Sequence, residues 1–310
     1  MPPPADAYQV GRFYFHLNEF DRARPWLRQA VRARPWRIER LVRLVVSHLP
    51  ARLAARLAGS RRKLWHRLWE EALTLPGHAT AHDSAMAELA EYLGVSVEEA
   101  EARCWLAARR MADEWRAANP ETPDGILRFY RETTSYIGDL VHERSKPFGF
   151  GGYHAVESVL LARARGFASV LDFGSGDGSC GVLYARNGLD TTVADVSPYL
   201  LAFVRRRFAR RGLRGAFLLL PDEALPAGAF DLVTAFDTLE HVASPLDALA
   251  AIHRSLRPGG CLVANTPFGV TDIHPMHIPY DPAAFLRGAR RMGFRVARFT
   301  LREFHLFEKR

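Results

Sequence analysis

The 310-residue chain is 48% hydrophobic and 11% aromatic, which excludes a disordered protein and gives enough length for two cores. No stretch of about 18 uninterrupted apolar residues occurs, excluding a membrane-spanning helix. Cys104, Cys180 and Cys261 are too few and too far apart for a disulfide framework or a zinc knuckle. The net charge of +8 is uneven, with 15 Lys/Arg against 5 Asp/Glu in residues 1–70 and 27 against 29 in the remainder.

Such an imbalance speaks to partners and not to fold. The first residues, MPPPADAYQV, lack the basic-then-apolar pattern of a signal peptide, so the expected compartment is the cytosol, with peripheral membrane attachment left open. From Tyr8 to Pro35 the apolar and small residues recur at helical spacing. Gly11, Tyr14, Ala23, Leu27, Ala30 and Pro35 fall where a tetratricopeptide repeat has its signature residues, and the stretch resembles a single such repeat. One repeat cannot bury its own apolar face, so an ordinary helical hairpin is the alternative. Residues 37–69 place Leu, Val and Trp on one side of a helical pattern and Arg on the other, with a break at Pro50. They read as a membrane-surface or docking helix, or as an amphipathic helix packed on its own domain.

Two helices are expected over residues 81–118. Gly94 ends the first, and Ser96 caps the second, with Glu99 completing a capping box. A helix-turn-helix DNA reader has a similar outline, but this stretch is acidic. After the break ANPETPDGI (118–126) one helix is expected through LRFYRETTSYIGDLVHE, then a Gly/aromatic loop RSKPFGFGGYH (144–154), then a helix from His154 to Gly166. Beyond it, short β-branched or apolar runs at 168–173, 190–195, 215–220, 231–236 and 260–266 alternate with helices near 178–187, 198–211 and 244–256. The tail adds two strands with no helix between them. This order predicts an α/β fold: a doubly wound, Rossmann-like, mostly parallel seven-stranded sheet behind an all-α N-terminal domain. The expected domains are a basic helical segment (1–70), a helical lid or substrate domain (71–150) and the α/β domain (151–310).

The first strand runs into VLDFGSGDGSCG (170–181). Gly174, Gly176 and Gly178 suit a turn that needs positive φ and lets the backbone approach a ligand. The spacing is GxGxG, since Ser179 stands where a dinucleotide fingerprint needs glycine. Asp195, at the end of the second strand, is placed to accept both ribose hydroxyls of an adenosine. The pocket these residues would form carries the carboxylates Asp172, Asp177 and Asp195 and no lysine or arginine fork, which favours a cationic sulfonium–ammonium ligand over a phosphate.

LDFGSGDG, VADVS, FDLVTAFDTLEHV and LRPGGCLVANTP follow in the order and spacing of class I S-adenosylmethionine-dependent methyltransferases, which residues 150–310 resemble. The likeness is to the branch of ubiquinone-type O-methyltransferases and related small-molecule enzymes. It implies S-adenosylmethionine as cofactor and a set of binding residues. Asp172 would hold the methionine ammonium directly or through water, and Gly174, Ser175 and Gly176 would pass their backbone along the methionine and ribose, within a loop that includes Asp177 and Gly178. Asp195 would bind the ribose, Val196 would pack on adenine and Asp222 would accept from the adenine amino group. Phe236 would offer its carbonyl to the ammonium, next to Asp237.

Methyl transfer needs an in-line nucleophile that can lose a proton. Candidate bases are His241, His277, His154 and His274, with Tyr153 and Tyr280 as groups that position the acceptor. In DTLEH, Asp237, Glu240 and His241 are similar to the Glu-x-x-Glu-His stretch that binds a divalent cation in ubiquinone-type enzymes. A metal-free site with His241 as base or hydrogen-bond donor is the leading expectation. The expected acceptor is a small molecule methylated on O or N. A carrier-bound or macromolecular acceptor held by the basic segment, and a non-catalytic cofactor-binding protein, are the alternatives.

Overall fold

A computed structural model describes residues 8, 15, 20–50, 53, 65–145, 150–265, 267–270, 274–299 and 304–310. The chain divides into two compact units, Met1–Arg67 and Leu68–Arg310. In the first, α1 (Phe20–Ala33) and α2 (Ile38–Ser47) enclose a small core of Tyr8, Phe15, Phe20, Ala23, Leu27 and Ala30, with Leu44, Val46 and Leu49 against it. Gly11 and Tyr14 of the tetratricopeptide-like pattern lie outside the described residues. The helix expected from residue 37 ends at Ser47, before Pro50, whose ring cannot continue it.

The second unit opens with helical residues 68–73, followed by α3 (Ala81–Leu93), α4 (Val97–Ala118), α5 (Pro123–Glu132), α6 (Tyr136–Ser145) and α7 (Phe150–Arg165). Gly94 ends α3 in the left-handed conformation, and Ser96 Oγ accepts from the Glu99 amide to start α4. The Glu99 carboxylate pairs with Arg103 instead of closing the capping box. The single helix expected over 127–143 is two. Thr133 turns extended after α5, and the hydroxyls of Thr133 and Ser135 both donate to the Glu114 carboxylate on α4.

The α/β portion follows as β1 (Ser169–Phe173), α8 (Ser179–Arg186), β2 (Asp190–Asp195), α9 (Pro198–Arg210), β3 (Ala216–Leu219), β4 (Phe230–Ala235), α10 (Pro245–Ser255), β5 (Leu256–Asn265), α11 (Pro282–Arg291), β6 (Phe294–Arg298) and β7 (Phe304–Lys309). The sheet order is β3-β2-β1-β4-β5-β7-β6. All neighbours are parallel except β7, which is antiparallel to both β5 and β6. Strand order reverses between β1 and β4, and in such sheets the crevice beyond the strand carboxyl ends at that point takes the ligand. β5 begins four residues earlier than the sequence pattern indicates. Leu256 already pairs with Phe230, and the register then shifts so that Leu232 meets Cys261, with RPGG taken up as a bulge.

The helices of residues 81–145 pack in the same compact unit as the sheet. Ala85, Met86, Leu89, Cys104, Ile137 and Val141 share one core with Leu200 and Phe203 of α9. A buried charge cluster reinforces that join. Arg207, 1% exposed, donates from Nε to Glu88 of α3 (3.1 Å) and from Nη1 to the Asp177 carboxylate, the Asp177 carbonyl and Ser179 Oγ (2.9 Å each). Arg211 binds the same Glu88 and the Leu73 carbonyl. Among the described residues no helix is long and apolar enough to cross a membrane.

Burial alone raises the Glu88 pKa, but Arg207 and Arg211 more than offset it and leave it below the ordinary carboxylate value. A depressed carboxylate stabilises the fold above its unfolded pKa, and that stability is lost as pH falls through the lower folded value. Glu88→Gln strands the Arg211 guanidinium and leaves Arg207 with Asp177 alone, and should cost about 3–5 kcal/mol in urea melts at neutral pH. The difference from wild type should shrink on acidification below the unfolded carboxylate range. A difference that stays constant with pH would show that Glu88 acts by shape alone.

Candidate functional site

At the carboxyl edge of β1, β2 and β4 lies a cavity of about 620 Å³. Gly174, Gly176, Asp195, Val196, Phe236, Asp237 and Thr238 form its floor. Pro123, Ile126, Leu127 and Tyr130 of α5, with Tyr136, Leu140 and Arg144 of α6, form its roof. Leu220, Leu225, His241, Val242 and Ala248 continue the wall, which is mostly apolar.

The glycine loop is shaped by contacts that exclude side chains. Gly174 has φ +71°, and a Cβ there would sit 2.2 Å from Thr238 Cγ2. Gly178 has φ +76°, and a Cβ there would meet Val204 at 2.5 Å. The Gly174 and Ser175 amides donate to the Ala194 carbonyl (2.8 and 3.1 Å), tying the loop to β2. Asp195 is buried, and its two carboxylate oxygens accept from the Gly176 and Ser197 amides, each at 2.9 Å. Burial outweighs these bonds and raises its pKa. The carboxylate is thereby fixed in orientation at the cavity floor with lone pairs to spare.

Asp172 lies behind the floor, 3% exposed. Its Oδ1 accepts from Thr234 Oγ1 at 3.1 Å, while Oδ2 is buried without a hydrogen bond. Burial raises its pKa to about 7 although Arg144 works against the shift. Arg144 is the cation that sequence reasoning missed. It lines the cavity and donates to Cys180 Sγ (3.0 Å) and the Phe236 carbonyl (3.5 Å). Burial opposes its charge, yet Cys180 and the carboxylates of Asp237, Asp177 and Asp172 hold its pKa above the ordinary value. The expectation of a pocket without arginine therefore fails, because α6 brings one in from 30 residues upstream of Gly174.

Several expected site residues stand elsewhere. Asp177 faces Arg207 and caps Ser179, and neither it nor Ser175 nor Gly178 forms cavity wall. Asp222 is exposed and paired with Arg131, while its neighbours Pro221, Glu223 and Ala224 line the cavity. His154 is buried and stacked on Phe304, ring centroids 3.2 Å apart. Neither it nor Tyr153 reaches the wall. Asp237 does reach it, with φ +50°. Its amide donates to Asn265 Oδ1 at 2.7 Å, and the Asn265 amide donates back to its carboxylate. Such a strained non-glycine position is typical of binding sites.

Around His241 the structure gathers aromatic and titratable groups from three segments. Nδ1 lies 2.7 Å from the Tyr130 hydroxyl, and the ring of His277 is 4.8 Å away. Burial and the His277 and His274 rings lower the His241 pKa to about 3, so the imidazole is neutral. Burial and Asp237 raise Glu240 to about 8, and both its oxygens are buried without a hydrogen bond. His277 donates from Nδ1 to the Gly269 carbonyl (2.9 Å), leaving Nε2 as its acceptor. Ligand atoms of Glu240, His241 and His277 lie within 4.8 Å of one another. Asp237, spoken for by Asn265, is not in that cluster.

Comparison with known proteins gives the site a family. Residues 171–264 match the family model described as a methyltransferase domain, and these residues run from β1 through β5. The chain carries a class I methyltransferase domain. Over 102 residues, 32% of this chain and 43% of the relative, it is 35% identical to a ubiquinone biosynthesis O-methyltransferase of Xanthomonas campestris pv. campestris. Over 112 residues, 35% of this chain and 43% of the relative, it is 37% identical to a malonyl-[acyl-carrier protein] O-methyltransferase of Enterobacter lignolyticus. The chain thus spans less than half the length of these curated relatives. Among solved structures, the citrinin polyketide synthase CMeT domain aligns over 66% of this chain and 65% of its own at 15% identity and a TM-score of 0.47.

Methyltransferase domains of this class use S-adenosylmethionine, and the residues present suit it. Asp172 offers a buried, unsatisfied carboxylate oxygen, Asp195 an oriented carboxylate, and Gly174 and Gly176 a wall without Cβ atoms. Arg144 complements a carboxylate.

Asp172 supplies a test. A carboxyl whose folded pKa is raised destabilises the ligand-free fold as it ionises, with a penalty that grows from pH 3.8 to about 7. Asp172→Asn should therefore raise the Tm of the ligand-free methyltransferase domain by several degrees at about pH 8 and change it little at about pH 4. The same substitution should weaken S-adenosylmethionine binding. Calorimetric melts at the two pH values check the sign, and a lower Tm at the higher pH would contradict it.

Proposed function

We propose that this protein transfers the methyl group of S-adenosylmethionine to an oxygen of a small, largely apolar acceptor. The observation that carries this reading is the continuity of one cavity. The cofactor-type floor of Gly174, Gly176, Asp195 and Val196 and the apolar wall of Pro123, Ile126, Leu127, Tyr130 and Val242 belong to the same space. Both curated relatives described above are named O-methyltransferases, which favours oxygen as the acceptor atom.

When bound, S-adenosylmethionine supplies an electrophilic methyl group, so the chain's task is to bind, orient and exclude water. Asp195 takes the ribose hydroxyls and Val196 packs on the adenine. The Phe236 carbonyl faces the ammonium end, Asp172 acts on it from behind the floor, directly or through water, and Arg144 holds the carboxylate of the same amino-acid moiety. The aromatic roof of Tyr130 and Tyr136 keeps the acceptor side dry, which strengthens polar contacts made inside it. His241 is neutral and hydrogen-bonded to Tyr130. It acts as the polar contact that orients the acceptor oxygen.

A second reading has one observation in its favour. Glu240, His241 and His277 form a carboxylate–bis-imidazole set of the kind that takes a divalent ion, and they would hold that ion beside the cavity, whose wall His241 reaches. Loss of activity on chelation, restored by a divalent ion, would establish it, whereas insensitivity to chelator supports the metal-free reading.

Calorimetric titration tests the cofactor assignment. Wild type should bind S-adenosylmethionine, and Asp195→Ala should raise the Kd about 10- to 100-fold. Unchanged affinity would overturn the assignment. His241→Ala should leave that Kd unaltered and lower kcat/KM for a methylated acceptor by about tenfold or more.

A further inference from the structure

We propose that α2 docks the protein on an anionic membrane surface through the exposed face formed by Ile38, Leu41, Val42 and Val45. These residues are spaced i, i+3, i+4 and i+7 and form one stripe along the helix. They are 74%, 46%, 52% and 55% exposed, and Trp36, just before the helix, is 73% exposed. A helix that served only its own hairpin would turn such a stripe inward. Here the interior is occupied differently. Arg40 is buried, 2% exposed, with Nη1 donating to the Ala30 carbonyl (2.9 Å) and its guanidinium 4.6 Å from the Tyr8 ring centroid. The helix thus packs Leu44 and Val46 on the hairpin core and buries an arginine, while four further aliphatic side chains stay in solvent, which folding alone does not favour.

Charge decides the partner. Residues 1–70 carry 15 Lys/Arg against 5 Asp/Glu. Arg32 and Arg34 are exposed next to Trp36, and Arg37 is half-exposed at the helix start. A second copy of so basic a unit would be repelled. An anionic lipid surface instead complements the arginines at headgroup level, while the aliphatic stripe and the indole enter the acyl boundary. This arrangement is independent of the methyl-transfer reading, because none of these residues lines the cofactor cavity.

Co-sedimentation of the full chain with vesicles tests it, using phosphatidylcholine alone or phosphatidylcholine with phosphatidylglycerol. Binding should require the anionic lipid and weaken with added salt. The exposed double substitution Leu41→Gln with Val45→Gln should reduce vesicle affinity about tenfold while leaving Tm and S-adenosylmethionine affinity unchanged. Arg32→Glu with Arg34→Glu should weaken binding and flatten its salt dependence. The proposal is overturned by absence of binding to anionic vesicles, or by binding that the apolar double variant does not alter. It is equally overturned if the apolar stripe mediates self-association, or binding to an acidic protein, without any affinity for vesicles.

Discussion

Arg207 is fully buried, and an arginine cannot shed its charge to escape the cost of leaving water. Its position beneath the glycine loop is therefore tenable only while Glu88 and Asp177 neutralise it and Ser179 Oγ and the Asp177 carbonyl saturate its donors. That requirement links three parts of the second unit. Glu88 belongs to the helical half, Asp177 to the loop after β1, and Arg207 to the helix after β2. With Arg211 sharing Glu88, two cations and two carboxylates balance. The loop cannot shift without unpairing a buried ion, so Gly174 and Gly176 are presented to the cavity in a fixed shape before any ligand arrives.

Preorganisation of the floor meets an environment that is electrostatically unsatisfied. Asp172 and Glu240 are carboxyls pushed upward by burial, and Arg144 is a buried cation at the cavity wall. A ligand that carries an ammonium and a carboxylate at one end complements both signs at once. Clusters of perturbed groups in a cleft are a mark of functional sites, and here the chemistry of the perturbed groups also indicates which ligand they await.

Much of the α/β half is legible in the sequence because its signals are local. Glycines at 174, 176 and 178, Asp195 at a strand end and the alternation of strands with helices each follow from a few adjacent residues. β7 inserted between β5 and β6 is not local, and neither is the bulge that starts β5 at Leu256. The site's roof is the larger omission. Tyr130 and Arg144 sit in helices whose sequences resemble any amphipathic helix, and only the packing of α5 and α6 over the sheet brings them to the floor. The same long-range geometry removes residues that local spacing nominates. Asp177 is claimed by Arg207, Asp222 by Arg131, and His154 by stacking on Phe304. A contact signal pairing position 130 with 241, or 144 with 236, would reveal the roof without a structure.

The central claim is that a single cavity holds the methyl donor between the glycine loop and α6. A crystal structure with S-adenosylhomocysteine bound tests it most directly. The ribose hydroxyls should lie on the Asp195 carboxylate, the amino-acid end between Gly174 and Arg144, and the sulfur should face the space beneath Tyr130 and His241. Ligand density outside this cavity, or a ribose that makes no contact with Asp195, would contradict it.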